Sequence, residues 1–280
     1  MNRHEYRVIG MSRSGNHAII NWILSQASGR TCFLNCAEPQ SNPYVTARPL
    51  DSGHRIIANF PEFDVEAELV GKFADKDLLL VSHEDCFLGT VAKGAYEDNH
   101  DSFVGPSLSR RDVLILRDPF NLFASRLRGQ FGSVSTGTAL RIWKQHAREF
   151  LGVRRYLKHP RILIDYNQWA TSQDYRQEIA EQLGLQFSDS SVEKVAAAGN
   201  GSSFDGRRYD GRATCMRILD RWKHFIGSEA YAAIFDHEAH ALSQRIFGDI
   251  GCDVSAAPDA VRGKKASRVP LDAAALPLPD

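Results

Sequence analysis

The chain has 280 residues, 43% of them hydrophobic, and its Lys+Arg and Asp+Glu totals are both 34. That is enough apolar material for a substantial core in one large domain or two small ones, and the balanced charge leaves no global field to attract nucleic acid or a membrane surface. Any anion site must be local. No run of about 18 apolar residues occurs, and MNRHEYRVIG has no apolar stretch behind its basic residues. A membrane span and a secretion signal are therefore not expected, and a cytoplasmic home is. Cys32, Cys36, Cys86, Cys215 and Cys252 are an odd set without paired CxxC spacings, so they read as reduced thiols and no metal site is expected.

In chain order, short apolar runs suited to strands fall at residues 6–10, 55–60, 77–82, 112–116 and 161–165. Helical periodicity fills gaps between them, at residues 120–127, 139–157 and 174–183. Strands alternating with helices predict an α/β fold with a central parallel sheet flanked by helices. Residues 198–212, AGNGSSFDGRRYDGR, read as a long surface loop, and the Ala/Pro-rich segment 254–280 as an extended or disordered tail without a catalytic role.

The first strand runs into RVIGMSRSGNHAIINWIL, residues 7–24, where Gly10 and Gly15 stand five apart before a helical pattern. This is the layout of a phosphate-binding loop, but Asn16 and His17 follow Gly15 where a nucleoside triphosphatase has lysine and a magnesium-binding hydroxyl. A metal-dependent NTPase or kinase is disfavoured. Arg13, Ser14 and the amides of a helix N-terminus suit a phosphate without a metal. A second basic point follows the strand at residues 112–116: Arg117, with Ser125 eight residues on. Both can face the crevice at the carboxyl edge of the sheet, so a nucleoside with phosphates at both ends would fit.

Here the sequence resembles the sulfotransferases that use 3′-phosphoadenosine 5′-phosphosulfate (PAPS). Arg13-Ser14-Gly15-Asn16-His17 is similar to that family's 5′-phosphosulfate loop, and Arg117 with Ser125 to its 3′-phosphate clamp. ILIDYNQWATSQDYRQEIAEQLGL resembles the segment that places a tyrosine, here Tyr166, near the adenine. LDRWKHFIGSEAYAAIF looks like the late W-K-N-H-F segment. The preceding loop, with Arg207, Arg208 and Arg212, occupies the place of the arginine loop over the 3′-phosphate. Asn16 and His17 replace two hydroxyl residues, and Ala18 stands where cytosolic members often place tryptophan.

The resemblance implies a P-loop NTPase-like sulfotransferase fold over residues 1–253. It implies in-line transfer of a sulfuryl group from PAPS to a hydroxyl or amine of a carbohydrate, lipid or small molecule, releasing adenosine 3′,5′-bisphosphate. Arg13 would stabilise the leaving phosphate. For the base, His83 at the end of an apolar strand resembles the cytosolic branch's histidine, and Glu84 beside it is the alternate used by other branches. Residues 35–63, including His54, and 90–108 are expected to wall the acceptor site. A non-catalytic relative that binds an adenosine bisphosphate as sensor or scaffold is the competing reading. Nothing in the sequence fixes the oligomeric state.

Overall fold

A computed structural model describes residues 1–50, 55–130 and 132–250. The expected tail at 254–280, Cys252 and His54 lie outside the described residues. Six strands form one sheet: β1 (Asn2–Gly10), β2 (Thr31–Leu34), β3 (Ile56–Ala58), β4 (Lys76–Glu84), β5 (Arg110–Leu116) and β6 (Arg161–Asp165). Their spatial order is β3-β2-β4-β1-β5-β6. All neighbours are parallel except β2 and β3. The sheet is thus mostly parallel with an antiparallel edge, and β2, a four-residue strand, adds to those anticipated.

Strand alternation sorts the side chains into two faces. On one face Tyr6 and Val8 of β1, Leu78 and Leu80 of β4, and Val113 and Ile115 of β5 pack against Ile19, Ile20, Trp22 and Ile23 of helix α1 (Asn16–Gln26). Each of the three α1 isoleucines, shielded from water, contributes about 1.5–3 kcal/mol. On the other face Leu79 and Val81 meet Tyr44, Tyr96 and Val104, while Ile9 and Leu114 meet Leu88, Val91 and Leu157. A further core joins the helices Pro119–Gly129, Thr136–Phe150 and His237–Phe247.

That second face also carries buried charge. Arg7 pairs with Asp112 at 2.7 Å and Glu97 at 2.8 Å. Glu5 receives His100, Ser107, Arg110 and the Tyr96 hydroxyl. These buried ions are paired with one another, which offsets the cost of taking them out of water.

Candidate active site

The carboxyl ends of β1, β4, β5 and β6 deliver the site. The same alternation that places Leu78 and Leu80 on the α1 side carries Glu84 there, and Val113 and Ile115 carry Arg117 there one step past β5. These two side chains, with the 11–15 loop and Tyr166 at the head of the helix Tyr166–Thr171, line a cavity of about 570 Å³.

The loop itself is held from behind. Ser14 N–H donates to the Met11 carbonyl at 2.9 Å, and the Ser14 hydroxyl accepts from Met11 N–H at 3.3 Å. Asp85 accepts from Ser12 N–H at 3.1 Å and from Arg126 at 2.7 Å, while Arg126 also donates to the Ser12 carbonyl. Arg13 adopts φ 76 and Gly15 φ 86. Gly15 is the N-cap of α1 and no side chain caps that helix, which favours anion binding at its first turn. A Cβ on Gly15 would stand 2.0 Å from the Tyr166 ring, so only glycine lets the tyrosine close against the loop.

Three guanidiniums converge beyond the loop. Arg117 donates to Ser125 at 3.2 Å, to the Arg13 carbonyl at 3.0 Å and to the Ile218 carbonyl at 2.7 Å, with its guanidinium carbon 5.1 Å above the Tyr166 ring. Arg221 donates to the same Ser125 hydroxyl at 3.2 Å and to Ser202 at 2.9 Å. Arg13 reaches the Gly201 carbonyl at 2.8 Å. Burial and then the neighbouring Arg117 cation pull the Arg221 pKa down to about 10, and the same two causes lower Arg13. Asp205, 3.5 Å from Arg221, offsets only part of this crowding. Buried, mutually repelling cations on one wall make a receptor for a multivalent anion.

The cavity also carries groups of a different kind. Glu84 accepts from the Asn16 amide at 2.7 Å, His17 Nε2 lies 2.9 Å from Asn35 Oδ1, and Arg48 and Leu50 stand at the edge. A carboxylate thus shares one cavity with the arginines, and its charge acts on Arg13.

Of the sequence-derived candidates, Arg13, Gly15, Asn16, His17, Glu84, Arg117 and Tyr166 line the cavity. Ser125 stands behind Arg117, and Ser14 is turned into its own loop. His83 requires correction. Alternation points it to the other face, where it is buried beside Tyr96 with ring centroids 5.9 Å apart. Its Nδ1–H donates to the Ala37 carbonyl at 2.7 Å, since a carbonyl only accepts, and burial holds its pKa down to about 4. It lines no part of the cavity. Arg208 and Arg212 are exposed and stack on Tyr209 at 5.7 and 5.4 Å, outside the cavity; the backbone of Gly201 and the Ser202 hydroxyl reach it instead. Residues 90–108 cover the opposite face of the sheet rather than the cavity, whereas Asn35, Cys36 and 48–50 do line it. Sequence reasoning missed Arg221, though it stands directly before the Trp222-Lys223-His224-Phe225 segment that had been singled out.

No family model matches the chain, and no curated protein does. Two sulfotransferase domains are among the solved structures that resemble it. One is the sulfotransferase domain from the Synechococcus PCC 7002 olefin synthase, 12% identical with a TM-score of 0.47 over 87% of this chain and 94% of that one. The other is the sulfotransferase domain from the curacin biosynthetic pathway, 11% identical with a TM-score of 0.48 over 88% of this chain and 98% of that one. No helix among the described residues is long and apolar enough to cross a membrane.

Proposed function

We propose that the protein transfers a sulfuryl group from PAPS to a hydroxyl or amine of a carbohydrate, lipid or small-molecule acceptor. One observation carries the reading: Arg13, Arg117 and Arg221 crowd together in a cavity that Glu84 also lines. The family-like order of Arg13 to Gly15, Arg117, Ser125 and Tyr166 supports it.

In this scheme Arg117, Ser125 and Arg221 hold the 3′-phosphate, Tyr166 lies against the adenine, and Arg13 with the α1 N-terminus holds the 5′-phosphosulfate. The acceptor oxygen attacks sulfur as the bond from sulfur to the bridging phosphate oxygen breaks. The acceptor's proton passes to Glu84, and the new negative charge on adenosine 3′,5′-bisphosphate is met by Arg13. Glu84 replaces His83 as the base because it faces the cavity and His83 does not.

Calorimetry with adenosine 3′,5′-bisphosphate, 5′-AMP and ATP without magnesium tests donor recognition, and a panel of hydroxyl and amine acceptors with PAPS tests transfer. The expected result is binding that requires the 3′-phosphate, and transfer that Glu84→Gln lowers about a hundredfold or more without loss of binding. Tighter binding of ATP than of the bisphosphate would sink the reading. Bisphosphate binding with no transfer to any acceptor would favour the sensor or scaffold role.

A further inference from the structure

Of the two loop residues that depart from the family pattern, His17 bonds Asn35 and Asn16 bonds Glu84. Asn16, buried at the start of α1, donates through Nδ2 to the Met11 carbonyl at 3.0 Å and to Glu84 Oε1 at 2.7 Å. Both amide protons are therefore committed, one to the loop and one to the carboxylate. Space for this amide exists because residue 10 is glycine: a Cβ on Gly10 would lie 2.2 Å from Asn16 Oδ1. A hydroxyl side chain at position 16 has one proton and could not make both bonds.

We propose that Asn16 is a positioning residue: seated in the notch left by Gly10, it ties the Glu84 carboxylate to the anion-binding loop so that Oε1 is held and Oε2 is the oxygen that takes the acceptor's proton. This rests on the assignment of Glu84 as base. The loop that grips the donor and the group that activates the acceptor are then joined by one side chain. Their separation is set by two hydrogen bonds rather than by strand ends alone.

The test uses Asn16→Ala, Gly10→Ala and the double variant, each confirmed folded by thermal melting. Gly10 pairs with Glu84 only through the backbone of β1 and β4, and the methyl of Gly10→Ala meets the Asn16 side chain first, expelling its amide. Each single variant is expected to lower PAPS turnover, with water or an identified acceptor, about tenfold or more while the Kd for adenosine 3′,5′-bisphosphate changes less than about threefold. The double variant should be no worse than Asn16→Ala, because both act through one bond. Independently of activity, the Asn16 side-chain amide resonances in 15N-labelled protein, assigned by their loss in Asn16→Ala, should shift in Glu84→Gln.

Unshifted resonances would overturn the inference, as would additive losses in the double variant. An Asn16→Ala protein that turns over normally while Glu84→Gln is inactive would defeat the positioning role alone. Normal turnover in Glu84→Gln would instead defeat the base assignment on which it rests.

Discussion

Removing the Arg221 guanidinium takes a cation away from Ser125 and Ser202 and leaves Arg117 less crowded. If the 3′-phosphate sits there, Arg221→Ala weakens adenosine 3′,5′-bisphosphate binding about thirtyfold or more, whereas Arg208→Ala and Arg212→Ala change it less than about twofold; calorimetry reads all three. His83→Phe makes the companion case. It puts a larger ring, unable to donate to the Ala37 carbonyl, into a buried place beside Tyr96, so the expected loss is in melting temperature, with turnover of the folded protein kept within about threefold. At this scale the sequence was legible where a residue's place depends on its neighbours in the chain: local spacing singled out Arg13, Gly15 and Arg117, and all three line the cavity. It misled where the role depends on which face a strand presents. His83 and Glu84 are adjacent letters pointing to opposite sides of β4, and the Leu78, Leu80, Ser82, Glu84 register could have separated them had the face of α1 been known. Arg221 was hidden for a related reason: 96 residues separate it from Ser125, and only the fold brings them together.

Among the elements, the junction of the β1 loop with the helix Tyr166–Thr171 leaves no room for a side chain at residue 15. Gly15→Ala would force a side chain both into a left-handed backbone and onto the Tyr166 ring. It should cost about 2 kcal/mol or more, lowering the melting temperature by about 5 °C or more, and abolish donor-analogue binding. Strand-helix alternation and five of the six strands were readable from apolar runs, because β1, β4, β5 and β6 are buried on both faces. The short β2 and the antiparallel turn of β3 were not, since four residues carry too little periodicity and edge pairing is a long-range choice. Residues 90–108 were misplaced as a cavity wall for the same reason. Their helices Ala95–Asp98 and His100–Val104 answer to Glu5, Arg7 and Asn2 beneath them, partners about a hundred positions earlier.

For the whole molecule, the charged layer beneath the sheet sets the response to acid. His83 and His146 are buried neutral, with burial holding both pKa values down to about 4 against 6.5 unfolded. Their folded pKa lies below the unfolded one, so stability is complete above pH 6.5 and falls as pH drops from there to about 4, by about 3 kcal/mol for each at about 1.4 kcal/mol per unit. Burial alone would raise Glu5 and Glu97, but for Glu5 the His100 contact followed by Arg110, and for Glu97 His159 with Arg7 and Arg110, bring them to about 2. Their contribution is present above pH 4.5 and is lost between there and about pH 2. Melting temperatures from pH 8 to 3 should therefore decline in two stages, the first beginning near pH 6.5; His146→Gln would shrink that first stage, and an unchanged profile would remove the histidines as its cause.

The arginines of the cavity are already tied down before any ligand arrives: Arg117 to Ser125 and two carbonyls, Arg221 to two hydroxyls, Arg13 to Gly201. A long cationic side chain gives up on the order of 2 kcal/mol of rotamer entropy when it is immobilised. In this protein that loss falls on the folding equilibrium instead of on each binding event. If the cavity takes an anion, that loss returns as affinity, and Arg221→Ala, which removes a cation that burial and Arg117 disfavour, should melt no lower than the parent while binding less.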